Sequence, residues 1–268
     1  MLQSVYASET DPVRHRLQAV CGDLPQQLTL DLYESFARAD ARYPSVVAHL
    51  GQSIDGFIAT GRGDSYYVTG PENLDHLHRM RALADAVVVG AGTIKADDPA
   101  LTTRRVSGPN PLRVILDGRR RLDHSYGVFT DGAAPTLLVC GDDCASPRRH
   151  GAAEVLALPL VGGNISIVAL VEALGARGAH RVFVEGGGNV VSAFLASGVL
   201  HRLQLSIAPV LIGNGRRGVT APAQARLRDC LRPPHRLYSM GEDLLFDYDL
   251  RATAAGAFAT QSKFARLR

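Results

Sequence analysis

Three glycines that follow an apolar run are the first residues in this sequence that could do chemistry. Residues 182–184 read Val-Phe-Val and lead through Glu185 into Gly186-Gly187-Gly188-Asn189, where a helical pattern begins. Glycine lets the backbone approach a ligand closely, and the free N–H groups of a helix N-terminus attract phosphate. The spacing is not that of the G-x-G-x-x-G fingerprint, so a tight strand-to-helix turn without a ligand is the alternative interpretation.

A second turn of this kind predicts that the ligand is a nucleotide. Residues 90–93, Gly-Ala-Gly-Thr, follow the apolar run 86–89. Two phosphate-compatible turns at strand ends of one sheet indicate a common ligand-binding edge.

Three consecutive arginines favour the phosphorylated form of the cofactor. The apolar run 112–116 ends in Asp117-Gly118-Arg119-Arg120-Arg121. Guanidinium groups pair bidentately with phosphate and could hold the 2′-phosphate of NADP. A solvated surface turn is the alternative, because runs of charge are usually exposed.

A second anionic group is predicted from one hydroxyl and two further arginines. Ser65, Arg81 and Arg104 would suffice to hold a phosphate if the fold brings them together. Taken one at a time, each arginine could equally form a surface ion pair and Ser65 a turn. The sequence at 97–99, Asp-Asp-Pro, is also typical of a turn that ends a helix.

The elements that must position these groups alternate between strand and helix. Apolar runs predict strands at 45–50, 86–89, 112–116, 136–140, 181–184 and 203–207, and helical periodicity appears at 71–83, 166–176 and 189–196. This alternation predicts an α/β fold with a mostly parallel central sheet flanked by helices. Residues 244–250 could add a late antiparallel edge strand, and loops are expected at 213–222 and 232–240. We expect three parts: an N-terminal extension at 1–43 with short helices at 13–20 and 32–41, a main domain at 44–250, and a tail at 251–268.

Composition excludes several classes of protein. The chain has 268 residues, 46% of them hydrophobic and 21% charged, and a net charge of +3, which does not favour nucleic-acid binding. The sequence contains no run of 18 apolar residues, so no membrane span is predicted, and the N-terminus does not resemble a signal peptide. The four cysteines lack zinc-site spacing, so we expect no metal, reduced thiols and a cytoplasmic location.

The order of motifs from 49 to 104, HLGQSIDGF through VVVGAGTIKADDPALTTR, resembles the reductase half of the bifunctional riboflavin deaminase–reductases. Residues 44–250 match this family, which has a dihydrofolate-reductase-like fold. The deaminase half would require His-x-Glu and Cys-x-x-Cys patterns, and neither occurs in this sequence. The resemblance implies hydride transfer from NADPH to an open-chain ribosylamino imine of a phosphorylated pyrimidine, in a protein that is commonly a homodimer.

The resemblance also assigns roles to individual residues. It implies catalytic roles for Asp97 and Glu185. The substrate would contact His49, Ser65, Arg81, Leu101, Arg104 and Glu185. The cofactor would contact Gly51, Tyr67, Thr93, Asp97, Gly118, Arg119, Arg120, Gly186, Gly187, Gly188, Asn189, Val190 and Val191.

One departure from the family bears on the substrate. His49 stands where the bacterial reductases usually have the lysine that faces the pyrimidine. A reductase of a dihydropterin or another heterocycle, and a non-catalytic nucleotide-binding protein of the same fold, therefore remain as alternative functions.

Overall fold

A ten-stranded sheet forms the centre of the computed structural model, which describes residues 11–66 and 68–251. The predictions for Tyr67 and for 252–268 lie outside the described residues. The strand order is β13-β14-β11-β1-β10-β3-β4-β5-β7-β6, and the seven strands from β11 to β7 run parallel. The prediction of a mostly parallel sheet is therefore confirmed. The strands of this sheet are β1 (Ser45–Ser53), β3 (Ala86–Gly90), β4 (Leu112–Leu116), β5 (Thr136–Gly141), β6 (Arg149–His150), β7 (Ala153–Leu158), β10 (Arg181–Val184), β11 (Arg202–Ala208), β13 (His235–Met240) and β14 (Asp243–Asp249).

Two small hairpins and eight helices complete the described fold. One hairpin pairs β2 (Phe57–Thr60) with β12 (Gly215–Arg217), and the other pairs β8 (Leu160–Val161) with β9 (Asn164–Ile165). The helices are α1 (Pro12–Cys21), α2 (Gln26–Thr29), α3 (Ser35–Ala37), α4 (Pro71–Leu83), α5 (Ala91–Asp97), α6 (Gly127–Thr130), α7 (Ile167–Ala176) and α8 (Gly188–Ser197).

The central strands are apolar on both faces because helices cover both sides of the sheet. On β1, Val46 and Ala48 belong to the core beneath α7 and α8, whereas Val47 belongs to the core beneath α4. Side chains alternate along a strand, so His49 faces the α4 side with Val47. This alternation decides which helix can contact each side chain of the site.

The N-terminal segment packs on the α4 side of the sheet. Leu17 of α1 and Phe36 of α3 are buried in the same core as Met80 of α4. A π-helical turn at Leu30–Glu34 joins α2 to α3 and buries Tyr33 in this core. Residues 12–37 therefore cover the back of the helix that carries Arg81.

The C-terminal strands differ from the prediction in three respects. The segment 232–240, predicted as a loop, contains β13, which pairs with β14 across a two-residue turn led by Gly241 at φ 63°. The strand predicted at 244–250 is therefore one position in from the edge, between β11 and β13. The loop predicted at 213–222 contains β12, because a partner strand 57–60 lies far away in sequence and local pattern could not reveal it.

Candidate functional site

A cleft of about 950 Å³ opens at the carboxyl ends of β1, β10 and β3, which are neighbours in the sheet. This is the edge at which open α/β sheets bind their ligands. Thirteen residues predicted from the sequence line it: His49, Gly51, Ser65, Arg81, Thr93, Asp97, Leu101, Glu185, Gly186, Gly187, Gly188, Asn189 and Val190.

Five other predicted residues do not line this cleft. Gly118, Arg119 and Arg120 follow β4, the next strand beyond β3, and Arg104 is exposed beyond Leu101. The side chain of Val191 is fully buried in the core beneath α8.

The glycine turn after β10 exposes backbone to the cleft. Gly186 has a φ of 101°, a conformation that glycine adopts without strain. Gly187 caps α8, and its N–H donates to Thr93 Oγ1 at 3.2 Å. A Cβ on Gly187 would meet only Thr93 Oγ1, at 3.8 Å, whereas a Cβ on Gly188 would lie 2.1 Å from Gly218 O. Gly187 thus leaves open space on the cleft side, and Gly188 is required for packing.

A buried ion pair joins α4 to the end of β10. Arg81 and Glu185 are 8% and 5% exposed, and two hydrogen bonds of 2.7 Å join the guanidinium to both carboxylate oxygens. Arg81 Nη1 also donates to Thr102 O at 3.2 Å. Burial alone would lower the pKa of Arg81, but the charge and hydrogen bonds of Glu185 outweigh it and raise that pKa. The site therefore holds a fixed, compensated charge pair at the floor of the cleft.

The turn after α5 is built from uncommon backbone conformations. Asp98 ends the helix with a φ of 37°, and its carboxylate accepts from Gly127 N–H at 2.9 Å. Leu101 is buried and lines the cleft with a φ of 54°. Non-glycine residues held in this region store strain and concentrate at ligand sites. The alternative reading of 97–99 as a helix-ending turn is confirmed, and the same turn presents Asp97 and Leu101 to the cleft.

The arginines after β4 differ in whether their guanidinium groups are already hydrogen-bonded within the protein. Arg120 donates to Cys144 O at 3.0 Å and to Arg149 O at 2.7 Å, so backbone carbonyls hold its guanidinium. Arg119 is exposed, and within residues 11–66 and 68–251 its side chain makes no hydrogen bond or ion pair. Of these two, only Arg119 has its guanidinium free for a ligand.

Sequence reasoning missed five polar residues that line the cleft: Thr69, Asn73, Lys95, Arg216 and Arg217. The last two lie on β12, which pairs with β2 over the cleft. Asp55 fixes the loop before β12 by accepting from Gly213 N–H at 2.7 Å, and the Arg217 guanidinium lies 4.6 Å from the Phe57 ring centroid. Pairing between segments so distant in sequence leaves no local signal.

His49 lies on the floor of the cleft and is 2% exposed. Burial and the neighbouring His76 hold its pKa well below the ordinary value, and Asn73 partly counteracts them. The imidazole is therefore neutral near pH 7, unlike a lysine at the same position.

The described residues show neither a membrane span nor a metal site. In the ranges 11–66 and 68–251, no helix has the length and apolarity needed to cross a membrane. The same residues contain no group of three or more His, Cys, Asp or Glu side chains arranged to hold a metal ion.

Residues 44–236 match the sequence profile of the RibD C-terminal domain. The chain is 32% identical over 216 residues to the 2,5-diamino-6-ribosylamino-4(3H)-pyrimidinone 5′-phosphate reductase of Methanothermobacter thermautotrophicus, covering 78% of this chain and 99% of that protein. It is 35% identical over 183 residues to the riboflavin biosynthesis protein RibD of Bacillus amyloliquefaciens, covering 67% of this chain and 48% of the relative.

The solved structure of a diaminohydroxyphosphoribosylaminopyrimidine deaminase/5-amino-6-(5-phosphoribosylamino)uracil reductase from Thermotoga maritima superposes with a TM-score of 0.66 at 27% identity. The match covers 83% of this chain and 61% of that one, so the chain spans only part of the bifunctional proteins. The expected dihydrofolate-reductase-like fold is confirmed. With the profile match covering more than half of its length, the chain belongs to the RibD C-terminal domain family.

Proposed function

We propose that this protein is an NADPH-dependent reductase of the 5-amino-6-(5-phosphoribosylamino)uracil type, acting in riboflavin biosynthesis. The observation that carries the proposal is that one cleft brings a cofactor wall and a charged floor together. One wall is the glycine turn at the N-terminus of α8, suited to a cofactor pyrophosphate, and the floor holds the buried Arg81–Glu185 pair. The archaeal relative is named as a reductase of a ribosylamino pyrimidinone phosphate and the bacterial one as a riboflavin biosynthesis protein, which supports this class of substrate and this pathway.

A reductase of this family uses a nicotinamide cofactor, and the residues present fit one. Gly187 leaves space where a side chain would obstruct a ligand, and the first N–H groups of α8 have no partner within the helix. In the proposal Gly186, Gly187, Gly188, Asn189 and Val190 hold the pyrophosphate, while Val191 packs beneath them. Gly51, Thr93 and Asp97 complete the cofactor wall in this proposal, and the cofactor contact of Tyr67 stays a prediction.

The preference for NADPH over NADH is assigned to the turn after β4. Gly118 and Arg119 follow the strand end, and the free guanidinium of Arg119 suits the 2′-phosphate. Arg120, bound to two carbonyl oxygens, holds the shape of this turn and contributes its charge at longer range.

The phosphoribosyl group of the substrate is assigned to the loops that follow β2 and α5. Ser65 and Leu101 line the cleft, and the exposed guanidinium of Arg104 lies beyond Leu101 with one contact to Thr102 Oγ1 at 3.3 Å. Three of the five N–H donors of Arg81 are occupied by Glu185 and Thr102, so two remain for a phosphate or ribose oxygen. His49 faces the pyrimidine in this arrangement.

The reaction adds a hydride to C1 of an open-chain ribosylamino imine and a proton to its nitrogen, giving a ribitylamino pyrimidine phosphate. The bound nicotinamide supplies the hydride, and the protein supplies juxtaposition and charge complementarity. In the proposal Asp97 lies beside the nicotinamide and Glu185 contacts the substrate. Because Arg81 compensates the charge of Glu185, that carboxylate can stay at the buried floor of the cleft.

We further propose a cytoplasmic homodimer. Both properties are inferred from the resemblance to the family, and the four cysteines, all free thiols, agree with a reducing compartment.

NADPH oxidation with the phosphoribosylamino pyrimidine, run in parallel with dihydrofolate, tests the proposed function. We expect turnover with the pyrimidine alone. Turnover with dihydrofolate alone would assign the protein to the pterin reductases, a possibility that the neutral His49 keeps open. NADPH binding without oxidation of either substrate would make it a non-catalytic nucleotide-binding protein.

A further inference from the structure

Three buried polar atoms at the floor of the cleft lack a hydrogen-bond partner. They are Nδ1 and Nε2 of His49 and Oδ1 of Asn73. Both side chains are 2% exposed, and both line the cleft. Buried polar groups in folded proteins are almost always hydrogen-bonded, so unpaired atoms on two side chains that line the cleft point to a ligand that completes them.

The Asn73 amide contacts Thr69, which lies just before α4. Its Nδ2 donates to Thr69 Oγ1 at 2.9 Å, which leaves the carbonyl oxygen as the unpaired atom. Asn73 therefore offers the cleft one acceptor, which suits an N–H or amino group.

The ring of His49 is held among its neighbours. Burial lowers the pKa of His49, and Asn73 lies close enough to raise that pKa in part. The register partner of His49 on β11 is Gln204, and the ring of His76 lies over His49 with 5.0 Å between centroids. The Nε2 of His76 lies 2.9 Å from Gln204 Oε1, and its Nδ1 lies 2.8 Å from the Tyr33 hydroxyl.

These contacts leave His76 unable to satisfy His49. Because the Gln204 oxygen can only accept, Nε2 of His76 carries the proton and Nδ1 accepts from the Tyr33 hydroxyl. Both nitrogens of His76 are thus occupied, and burial lowers its pKa to about 4. His49 keeps one N–H donor and one lone pair for a ligand.

We propose that Asn73 is a specificity-determining residue that binds the heterocycle of the substrate together with His49. Tyr33 is a positioning residue, which acts on His49 through His76. The proposal rests on the proposed function. It adds that the heterocycle is recognised by neutral groups: an acceptor on Asn73 opposite an N–H or amino group, and the imidazole of His49 opposite a carbonyl. An aminopyrimidinone carries such donors and acceptors side by side on one edge.

The proposal also gives the N-terminal segment a role in the site. Tyr33 lies on the π-helical turn at Leu30–Glu34 and is 2% exposed. Its hydroxyl is hydrogen-bonded to His76, and the ring of His76 contacts the ring of His49.

The test separates recognition of the base from recognition of the phosphate. Substrate and ribose 5-phosphate are titrated calorimetrically against the full-length protein saturated with NADP⁺, which prevents turnover. Ribose 5-phosphate carries the sugar and phosphate but no heterocycle. For Asn73→Leu we expect the substrate to bind roughly five- to tenfold more weakly, the effect of losing about one hydrogen bond, with ribose 5-phosphate changed by less than about twofold.

Matched variants keep the result interpretable. Asn164→Leu makes the same change on the exposed β8–β9 hairpin and should alter neither affinity. Asn73→Ala, which removes the same acceptor with less bulk, replaces Asn73→Leu if the larger side chain prevents folding. Tyr33→Phe should weaken substrate binding by about two- to fivefold and leave ribose 5-phosphate binding unchanged.

Three results would overturn the proposal. Equal losses for both ligands would make Asn73 a structural residue, and unchanged substrate affinity would remove it from the site. Failure of the wild-type protein to bind the pyrimidine would reject the proposed function together with the inference. Binding of the pyrimidine without NADPH oxidation would reject the reductase activity alone and leave the recognition test standing.

Discussion

The buried Arg81–Glu185 pair predicts a large and cooperative effect on stability. Each side chain is more than nine-tenths buried, and both carboxylate oxygens are bound at 2.7 Å. Removing one partner leaves an uncompensated buried charge, so Arg81→Leu or Glu185→Leu should each cost about 3–5 kcal/mol of unfolding free energy. For a chain of this size that corresponds to a decrease in Tm of roughly 6–20 °C.

Replacing both residues should cost much less than the sum of the single changes. The double variant Arg81→Leu/Glu185→Leu buries no charge, and such replacements are often close to neutral. Denaturant unfolding of the wild type, the two single variants and the double variant gives the coupling free energy directly. Activity should be lost in all three variants, because the pair lines the cleft.

A surface pair provides the control. Arg177 and Glu154 lie 3.3 Å apart with 37% and 61% of their side chains exposed, and Arg177→Leu should cost less than about 1 kcal/mol. If Arg81→Leu costs no more than this control, or if the double variant is as unstable as the sum of the singles, water reaches the Arg81–Glu185 pair and the reasoning is wrong.

Three further predictions concern the cofactor and pH. Gly187→Ala should weaken NADPH binding without lowering Tm, whereas Gly188→Ala should lower Tm. Fluorescence titration and thermal unfolding distinguish the two effects. A lower Tm in both variants would make the turn purely structural. Arg119→Ala should reduce the preference for NADPH over NADH by roughly tenfold, and Arg120→Ala should reduce it less, so equal effects in paired titrations would contradict the roles assigned to them. Burial lowers the pKa of His201 from 6.5 to about 4, so its contribution to stability is complete above pH 6.5 and is lost as pH falls towards 4. His201→Asn should therefore flatten the decline in unfolding free energy over that range. An unchanged slope would count against this role of His201.

Elements with a strong local pattern could be predicted from the sequence. The predicted strand 45–50 is the first part of β1, and the predicted helix 71–83 is α4 with the same bounds. The glycines after β10 also indicated the strand-to-helix turn, because an apolar strand, glycines and a helix follow one another directly. Local spacing was sufficient in these places since the structure there depends on neighbouring residues.

Elements and contacts made across long distances in sequence could not be predicted. The sequence predicts either a phosphate ligand or a surface ion pair for Arg81, and it does not reveal the buried carboxylate partner 104 residues away. The strand β12 is three residues long and exists only because β2 pairs with it. No sequence pattern marks Asn73, because its proposed role depends on a buried side-chain oxygen that has no hydrogen-bond partner in the folded protein.

The position of β1 decides when this protein can fold during synthesis. This early strand lies between β10 and β11, and His201, whose ring accepts from the Val46 amide, emerges 155 residues later. At about 5–20 residues per second, a ribosome leaves this apolar central strand without its β11 neighbour for roughly 8–30 s. The nascent chain therefore depends on being shielded from aggregation until β11 is made, and expression fragments that end before residue 208 should form inclusion bodies rather than a folded subdomain.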